Sequence, residues 1–326
     1  MRVGAVIVTW NRADQLALTL DRTLAEPFDV VWVVDNASED HTDQVLEAAT
    51  SPRLRVIRLA QNIGGAGGFH AGVAAALAAA DCPDWLALFD DDAWPEAGFI
   101  QALKAAKVDA TVGVLSAAVR YPDGKICEMN RQGQNPFWHV GAFLSALRPG
   151  QKGRAGFKVT DHQLAPTSAP IAIDNASFVG FVLRTATARA VGLPDPDIFI
   201  YGDDVLYSLR LRRAGWRILL SPSLRFLHDC GTMGEGFVYR PLWKVYYHCR
   251  NGISIARMAA GPLIYPLALA YYVMIWWRRG HKCPAEQRPT YFRLMRLGIW
   301  DGLTGRTGRS ALAHDIAALA PPSRER

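Results

Sequence analysis

"DVVWVVDNASEDHTDQVLEAATSPRLRVIRLA", Asp29 to Ala60, decides the fold. It opens with a short β-branched apolar run, "VVWVVD", suited to a strand buried on both faces. "HTDQVLEAAT" follows as a helix, and "LRVIRLA" returns to a strand. A strand, a helix and a second strand in so short a span imply a parallel pair joined by a crossover helix.

The alternation continues on either side. Upstream, "VGAVIVTW" reads as a strand, and "RADQLALTLDRTL" carries apolar residues at helical spacing. Downstream, the alanine-rich run from Ala71 to Ala80 predicts a third helix and "WLALFD" a fourth strand. The whole order predicts an α/β class: a doubly wound, mostly parallel, Rossmann-like sheet with ligands beyond the C-terminal strand ends. The N-terminal "MRVGAVIVTWNR" is accordingly expected to be a first strand. Its apolar part is too short for a secretory signal, and no small-residue cleavage pattern follows.

From Arg120 to about Pro170, Gly, Pro and polar residues predict a loop-rich insertion. "IAIDNASFVGFVLR" reads as a core strand. "DIFIYGDDVLYSLRLRRAGWRILL" predicts a loop, a helix from about Asp203 to Ala214 stopped by Gly215, and another strand.

The 326 residues suffice for one large domain or two modest ones. Residues 1–235 are expected to form the ligand-binding domain, and 236–326 a basic, helical C-terminal region. Five cysteines, Cys82, Cys127, Cys230, Cys249 and Cys283, are scattered with no CxxC pair. That predicts reduced thiols in a cytoplasmic protein, with neither a disulfide framework nor a zinc site. The net charge of +6 conceals a division, since Val205 to the end holds 19 Lys and Arg against 6 Asp and Glu. Such a basic half suits anionic lipid or a phosphorylated substrate. Nucleic acid is not expected, because no RNA- or DNA-reading motif accompanies the charge. Met258 to Trp277 runs 20 residues without a charge between Arg257 and Arg278-Arg279. Its length would cross a bilayer, while Gly261, Pro262, Pro266 and three tyrosines leave open a buried core helix or a segment lying in a membrane interface.

Four groups of residues carry chemistry. "WLALFDDDAWP" runs a buried strand into Asp90, Asp91 and Asp92. Adjacent like charges repel and resist desolvation, so folding alone has no use for them unless they form a solvated acidic turn. Alternate side chains share a face, and Asp90 with Asp92 makes a hard oxygen site for Mg²⁺ or Mn²⁺. "QNIGGAGGFHAG" places four glycines in five residues, which lets the backbone approach a ligand. The dinucleotide fingerprint fails there, since His70 stands where its third glycine belongs, and no phosphate-loop Lys-Ser/Thr pair follows. Asp203 and Asp204 open a helix, where capping explains one carboxylate and leaves the second for base catalysis. His228 follows an apolar stretch, a place where a histidine is more often structural than a ligand.

Taken together, "VTWNR", "VDNAS", "FDDD" and "YGDDVLYSLRLRRAGW" resemble family-2 glycosyltransferases of the GT-A fold, in order and spacing, over about Met1 to His228. "NIGGAGGFHAG" and "YYHCRN", Tyr246 to Asn251, resemble the galactofuranosyltransferase branch. The resemblance implies an inverting transfer of galactofuranose from UDP-galactofuranose to a glycan hydroxyl. The basic C-terminal half, with the Met258 to Trp277 segment, adds the expectation of a lipid-linked glycan acceptor and a peripheral place on the inner face of the cell membrane. Rhamnosyltransferases using dTDP-rhamnose share the outer motifs. The resemblance places Trp10 and Arg12 on the nucleotide, with Thr9 shaping the strand end. Asp35 and Asn36 fall on the uracil or ribose, and Asn62, Gly64, Gly65 and Asp91 in the donor site. Asp90, Asp92 and His228 would hold a divalent metal, and Asp204, beside Asp203, would be the base. Asp203 departs from the Glu that many members carry. Two rivals are a nicotinamide-dependent dehydrogenase, opposed by the failed glycine pattern, and a silent nucleotide-sugar-binding scaffold, opposed by retention of both carboxylate sets.

Overall fold

A computed structural model describes residues 1–146, 156–230 and 240–321. Part of the loop-rich region, 147–155, and the expected domain boundary at 235 lie outside the described residues. The chain divides into two compact units. One comprises Met1–Pro196 with Tyr207–Cys230, the other Asp197–Leu206 with Gly231–Arg326.

The first unit is built as the alternation dictates. Strands β1 (Val3–Thr9), β2 (Val30–Asp35), β3 (Leu54–Arg58) and β4 (Trp85–Asp90) are joined by helices α1 (Ala13–Ala25), α2 (Thr42–Ala48) and α3 (Gly64–Ala78). They pair in parallel, in the order β3-β2-β1-β4. Side chains alternate across the pleat, and both faces of the sheet are covered. Val31 and Val33 of β2 join Leu16 and Leu20 of α1 on one side. Val30, Trp32 and Val34 join Phe69, Val73 and Ala76 of α3 on the other.

Beyond β4 the sheet becomes mixed. Strand β8 (Phe181–Arg184) runs antiparallel to β4 and to β6 (Val112–Arg120), and β6 pairs in parallel with the 12-residue β9 (Arg217–His228). Two short strands, β5 (Ala93–Pro95) and β7 (Ile171–Ile173), pair antiparallel to β9. The single core strand expected over Ile171–Arg184 is therefore two, β7 and β8, separated by a buried irregular segment that pairs with other neighbours. Helices α4 (Phe99–Ala105), α5 (Val140–Ala146) and α6 (Thr185–Val191) complete this unit. Helix α7 (Asp203–Arg213) confirms the predicted span and ends before Gly215, whose φ is +90°.

The glycine-rich stretch corrects another expectation. It is not a loop before a helix beginning at Ala71; α3 begins at Gly64 and contains it. The physical reason is close packing. A Cβ on Gly68 would sit 2.4 Å from Val8 Cγ1, and one on Gly72 2.3 Å from Val6 Cγ1. Gly65, unlike Gly67, Gly68 and Gly72, faces open space, with nothing within 4 Å. Gly65→Ala is therefore expected to stabilise the protein by up to about 1 kcal/mol through helix propensity. Gly68→Ala and Gly72→Ala, although also in a helix, should destabilise it by about 1–3 kcal/mol through overpacking. Denaturant melts of the three variants measure this; a common sign for all three would remove the packing explanation.

The second unit is helical. Helix α8 (Lys244–Lys282) breaks at Gly261 (φ 69°, ψ 173°), just before Pro262, and packs against α9 (Arg288–Thr304), with α10 (Ala311–Ala318) following. Its core gathers Tyr246, Tyr247, Ile253, Trp276, Leu294 and Ile316. The apolar segment after the break is not a buried core helix, since only 17% of the apolar window is buried. Leu263 is 92% and Leu267 74% exposed.

Candidate active site

Parallel strand pairing sets the site's position. Val8 stands opposite Asp90 and Thr9 opposite Asp35, so the ends of β1, β2 and β4 form one rim. The strand order reverses between β1 and β4, the position at which open α/β sheets bind ligands beyond their C-terminal strand ends.

The three aspartates part company at this rim. Asp91, buried, accepts hydrogen bonds from Thr9 Oγ1 at 2.8 Å and Trp10 N at 3.4 Å. It ties the end of β4 to the end of β1. Asp92, also buried, accepts from Arg12 at 2.5 Å, and its other oxygen lies 3.0 Å from His228 Nε2. Pairing of β5 with the end of β9 sets Ala93 opposite His228, which is how residues 136 apart in sequence meet. Asp90, by contrast, makes no side-chain hydrogen bond or ion pair among the described residues.

Electrostatics separates them in the same way. Desolvation, then the charges of Asp92 and Asp91, pushes the Asp90 carboxyl up to about 7. Desolvation pushes Asp91 up to about 6 despite Arg12. Burial acts on Asp92 too, but His228 and Arg12 outweigh it and hold that carboxyl below its usual range. Desolvation opposes the charged form of His228, yet the hydrogen bond to Asp92 raises it to about 10. Arg12 and His228 thus match Asp92; their charges act on Asp90 as well but do not outweigh its desolvation and the neighbouring carboxylates. Asp90 and Asp92 supply carboxylate oxygens and His228 an imidazole, donor types that a divalent ion accepts, with Asp92 and His228 bonded to each other.

The nucleotide-binding candidates are tied to the rim as well. Asp35 Oδ1 accepts from Ser38 N at 3.0 Å. Asn36 accepts from Ile63 N at 2.9 Å and donates to Gly64 O at 2.9 Å, while Asn62 accepts from Gly64 N at 2.8 Å. Both asparagines are engaged in holding the start of α3, a task the sequence reading did not give them. Trp10 is 47% exposed beside them.

Asp203 and Asp204 occupy the first turn of α7, grouped with the second unit, and Asp204 Oδ1 accepts from Val205 N at 2.7 Å. The loop before them is strained, with positive φ at Phe199 (66°), Tyr201 (66°) and Gly202 (86°). Asn251 holds it, donating from Nδ2 to Ile200 O and Tyr201 O, each at 2.8 Å, and Arg250 donates to Ile198 O at 2.7 Å. These two side chains, both 2% exposed, hold the loop that leads to Asp203 and Asp204, a role that sequence reading missed. "YYHCRN" was visible as a motif; its job of fixing the loop was not.

The sheet, with an acidic rim at its switch point, is an α/β arrangement of the GT-A type. Residues 5–162 match the family model described as glycosyl transferase family 2. Galactofuranosyltransferase GlfT1 of Mycolicibacterium smegmatis is 32% identical over 237 residues, covering 71% of this chain and 72% of that protein. The chain belongs to glycosyl transferase family 2 and is galactofuranosyltransferase-like. N-acetylglucosaminyl-diphospho-decaprenol L-rhamnosyltransferase of Mycobacterium tuberculosis is 26% identical over 216 residues, 61% of this chain and 66% of that one. Among solved structures, the mannosyltransferase PcManGT of Pyrobaculum calidifontis, in complex with GDP-Man and Mn²⁺, superposes with a TM-score of 0.52 at 18% identity. It covers 97% of this chain and 78% of its own. At that identity the likeness concerns the fold.

Proposed function

We propose that this protein transfers galactofuranose, with inversion, from UDP-galactofuranose to a hydroxyl of a lipid-linked glycan, using Mn²⁺ or Mg²⁺. The observation that carries the reading is Asp90, a carboxylate with no side-chain hydrogen bond or ion pair among the described residues, beside the matched Asp92 at the switch point of the sheet. Asp90, Asp92 and His228 would hold the cation, and the ion would offset charge gathering on the departing diphosphate. Thr9, Trp10, Arg12, Asp35, Asn36 and Asn62 shape the nucleotide side, with Asp91 bracing the rim. Gly65, a glycine with free space, lets the donor approach the start of α3 beside Gly64. Asp204 takes the proton of the acceptor hydroxyl as its oxygen bonds to the anomeric carbon from the face opposite the diphosphate. The sugar–phosphate bond breaks, UDP leaves, and one displacement inverts the configuration. Asp203 shares the first turn, where the helix dipole favours ionised carboxylates.

Rhamnosyl transfer from dTDP-rhamnose is the second reading, supported by the rhamnosyltransferase relative. A donor panel decides between them. UDP release from UDP-galactofuranose in the presence of Mn²⁺, abolished by excess chelator, is the expected result; turnover confined to dTDP-rhamnose would replace the first reading with the second.

The lipid-linked acceptor rests on α8. Leu263, Leu267, Tyr271, Met274 and Trp277 recur at helical spacing and are all exposed, with Arg257, Arg278 and Arg279 at the flanks. Such a face suits the interface of an anionic membrane on its cytoplasmic side. Leu263→Glu combined with Leu267→Glu should reduce flotation with anionic liposomes at least about tenfold, since burying those two side chains is worth several kcal/mol. Unchanged flotation would remove the membrane from the reading.

A further inference from the structure

The scattered cysteines were expected to carry no zinc site, yet the tertiary structure gathers two of them around His228. One donor atom each from Cys127, His228 and Cys230 lies within 4.8 Å of the others. Cys127 Sγ is 3.8 Å from His228 Nδ1. A tetrahedral Zn²⁺ with Zn–S of about 2.3 Å and Zn–N of about 2.0 Å separates its ligands by about 3.5–3.8 Å. Asn130 Oδ1 accepts from Cys127 Sγ at 3.0 Å and lies 2.7 Å from His228 Nδ1, hydrogen bonds that an ion between the thiol and the imidazole would replace. Asn130 Nδ2 donates to Ser177 Oγ at 2.9 Å, which fixes the oxygen toward the thiol and imidazole. Cys127, Asn130 and His228 are buried, and Cys230 is half-buried.

We propose that Cys127, His228 and Cys230 form a soft-metal site for Zn²⁺ that shares His228 with the hard site proposed on Asp90 and Asp92. Two thiolates and an imidazole select zinc over magnesium or manganese. The other ring nitrogen of His228 faces Asp92 at 3.0 Å, the carboxylate–histidine–metal arrangement that orients a zinc-bound imidazole. Zinc on Nδ1 keeps Nε2–H directed at Asp92, so one imidazole serves one ion. When occupied, the soft site competes with the proposed catalytic cation for His228, so zinc opposes manganese at the donor site.

Cobalt(II) added to the full-length chain, stripped with chelator and kept reduced with a phosphine, tests the site. One ion per chain should bind, with a thiolate-to-cobalt charge-transfer band and visible bands of tetrahedral intensity, all bleached by Zn²⁺. Cys127→Ser and Cys230→Ser should each lose the charge-transfer band, while Asp90→Asn keeps it. Zinc should also slow alkylation of Cys127 and Cys230 at least about tenfold, by mass action on a site occupied in the folded protein, without slowing Cys82. This second measurement needs no variant to fold. A missing band in wild-type protein whose thiols titrate as reduced overturns the site, as does a band that survives both substitutions or equal alkylation rates with and without zinc. Inhibition of Mn²⁺-supported UDP release by Zn²⁺, relieved in Cys230→Ser, rests on the glycosyl-transfer reading. The cobalt spectrum and alkylation rates need neither donor nor acceptor, so the two can fail separately.

Discussion

Asp90→Asn is expected to lower cation-dependent UDP release by about 10²–10³-fold, the several kcal/mol that a metal ion supplies at a developing anion. The substitution keeps the shape of the side chain. Because Asp90 makes no hydrogen bond or ion pair among the described residues, the fold has little to lose. Desolvation and two neighbouring carboxylates already oppose its charge, so the cation-free variant should melt no lower than wild type. Mn²⁺ should raise the melting temperature of wild type and leave that of Asp90→Asn unmoved. Wild-type turnover in the variant, or an unaltered Mn²⁺ shift, would end the metal reading. Asp92→Asn is a poorer probe, since it breaks contacts to Arg12 and His228 and lowers stability as well.

Asp204→Asn should lower kcat by about 10²–10⁴-fold, the range for removing a positioned general base. Its signature differs from that of Asp90→Asn. The Mn²⁺ shift and donor affinity should persist, because the acidic rim is intact, and only transfer to the acceptor should fail. Loss of donor binding instead would make Asp204 part of the donor site rather than the base. The strained loop before α7 gives this residue its place. Asn251 is occupied with that loop's carbonyls, and Arg250 with Ile198 O, which explains two buried polar side chains that no packing argument requires.

Much of the fold was legible because local patterns coincide with it. The β-branched runs of β1, β2 and β4 are buried on both faces, so their apolar character marks them directly, and the alternation of elements fixes parallel pairing. The glycines of α3 misled for the opposite reason. Helix propensity argues against them, and their use lies in the closeness of Val6 and Val8, partners more than fifty residues away. The stretch Ile171–Arg184 looked continuous because burial, not pairing, is what an apolar sequence reports.

At the site the same division holds. By itself the sequence determined the class of sheet, the acidic end of β4 and the acidic start of α7, since each is a short segment whose composition is anomalous for its local structure. Only the tertiary structure decided which aspartate is braced, which is matched by Arg12 and His228, and which is left open. It alone brought Cys127 and Asn130 to His228 and its near neighbour Cys230, and gave Asn251 its loop. Those outcomes depend on pairings such as Ala93 with His228. Charge compensation and metal geometry are set by distances of a few ångströms between residues about a hundred positions apart, which no local pattern encodes.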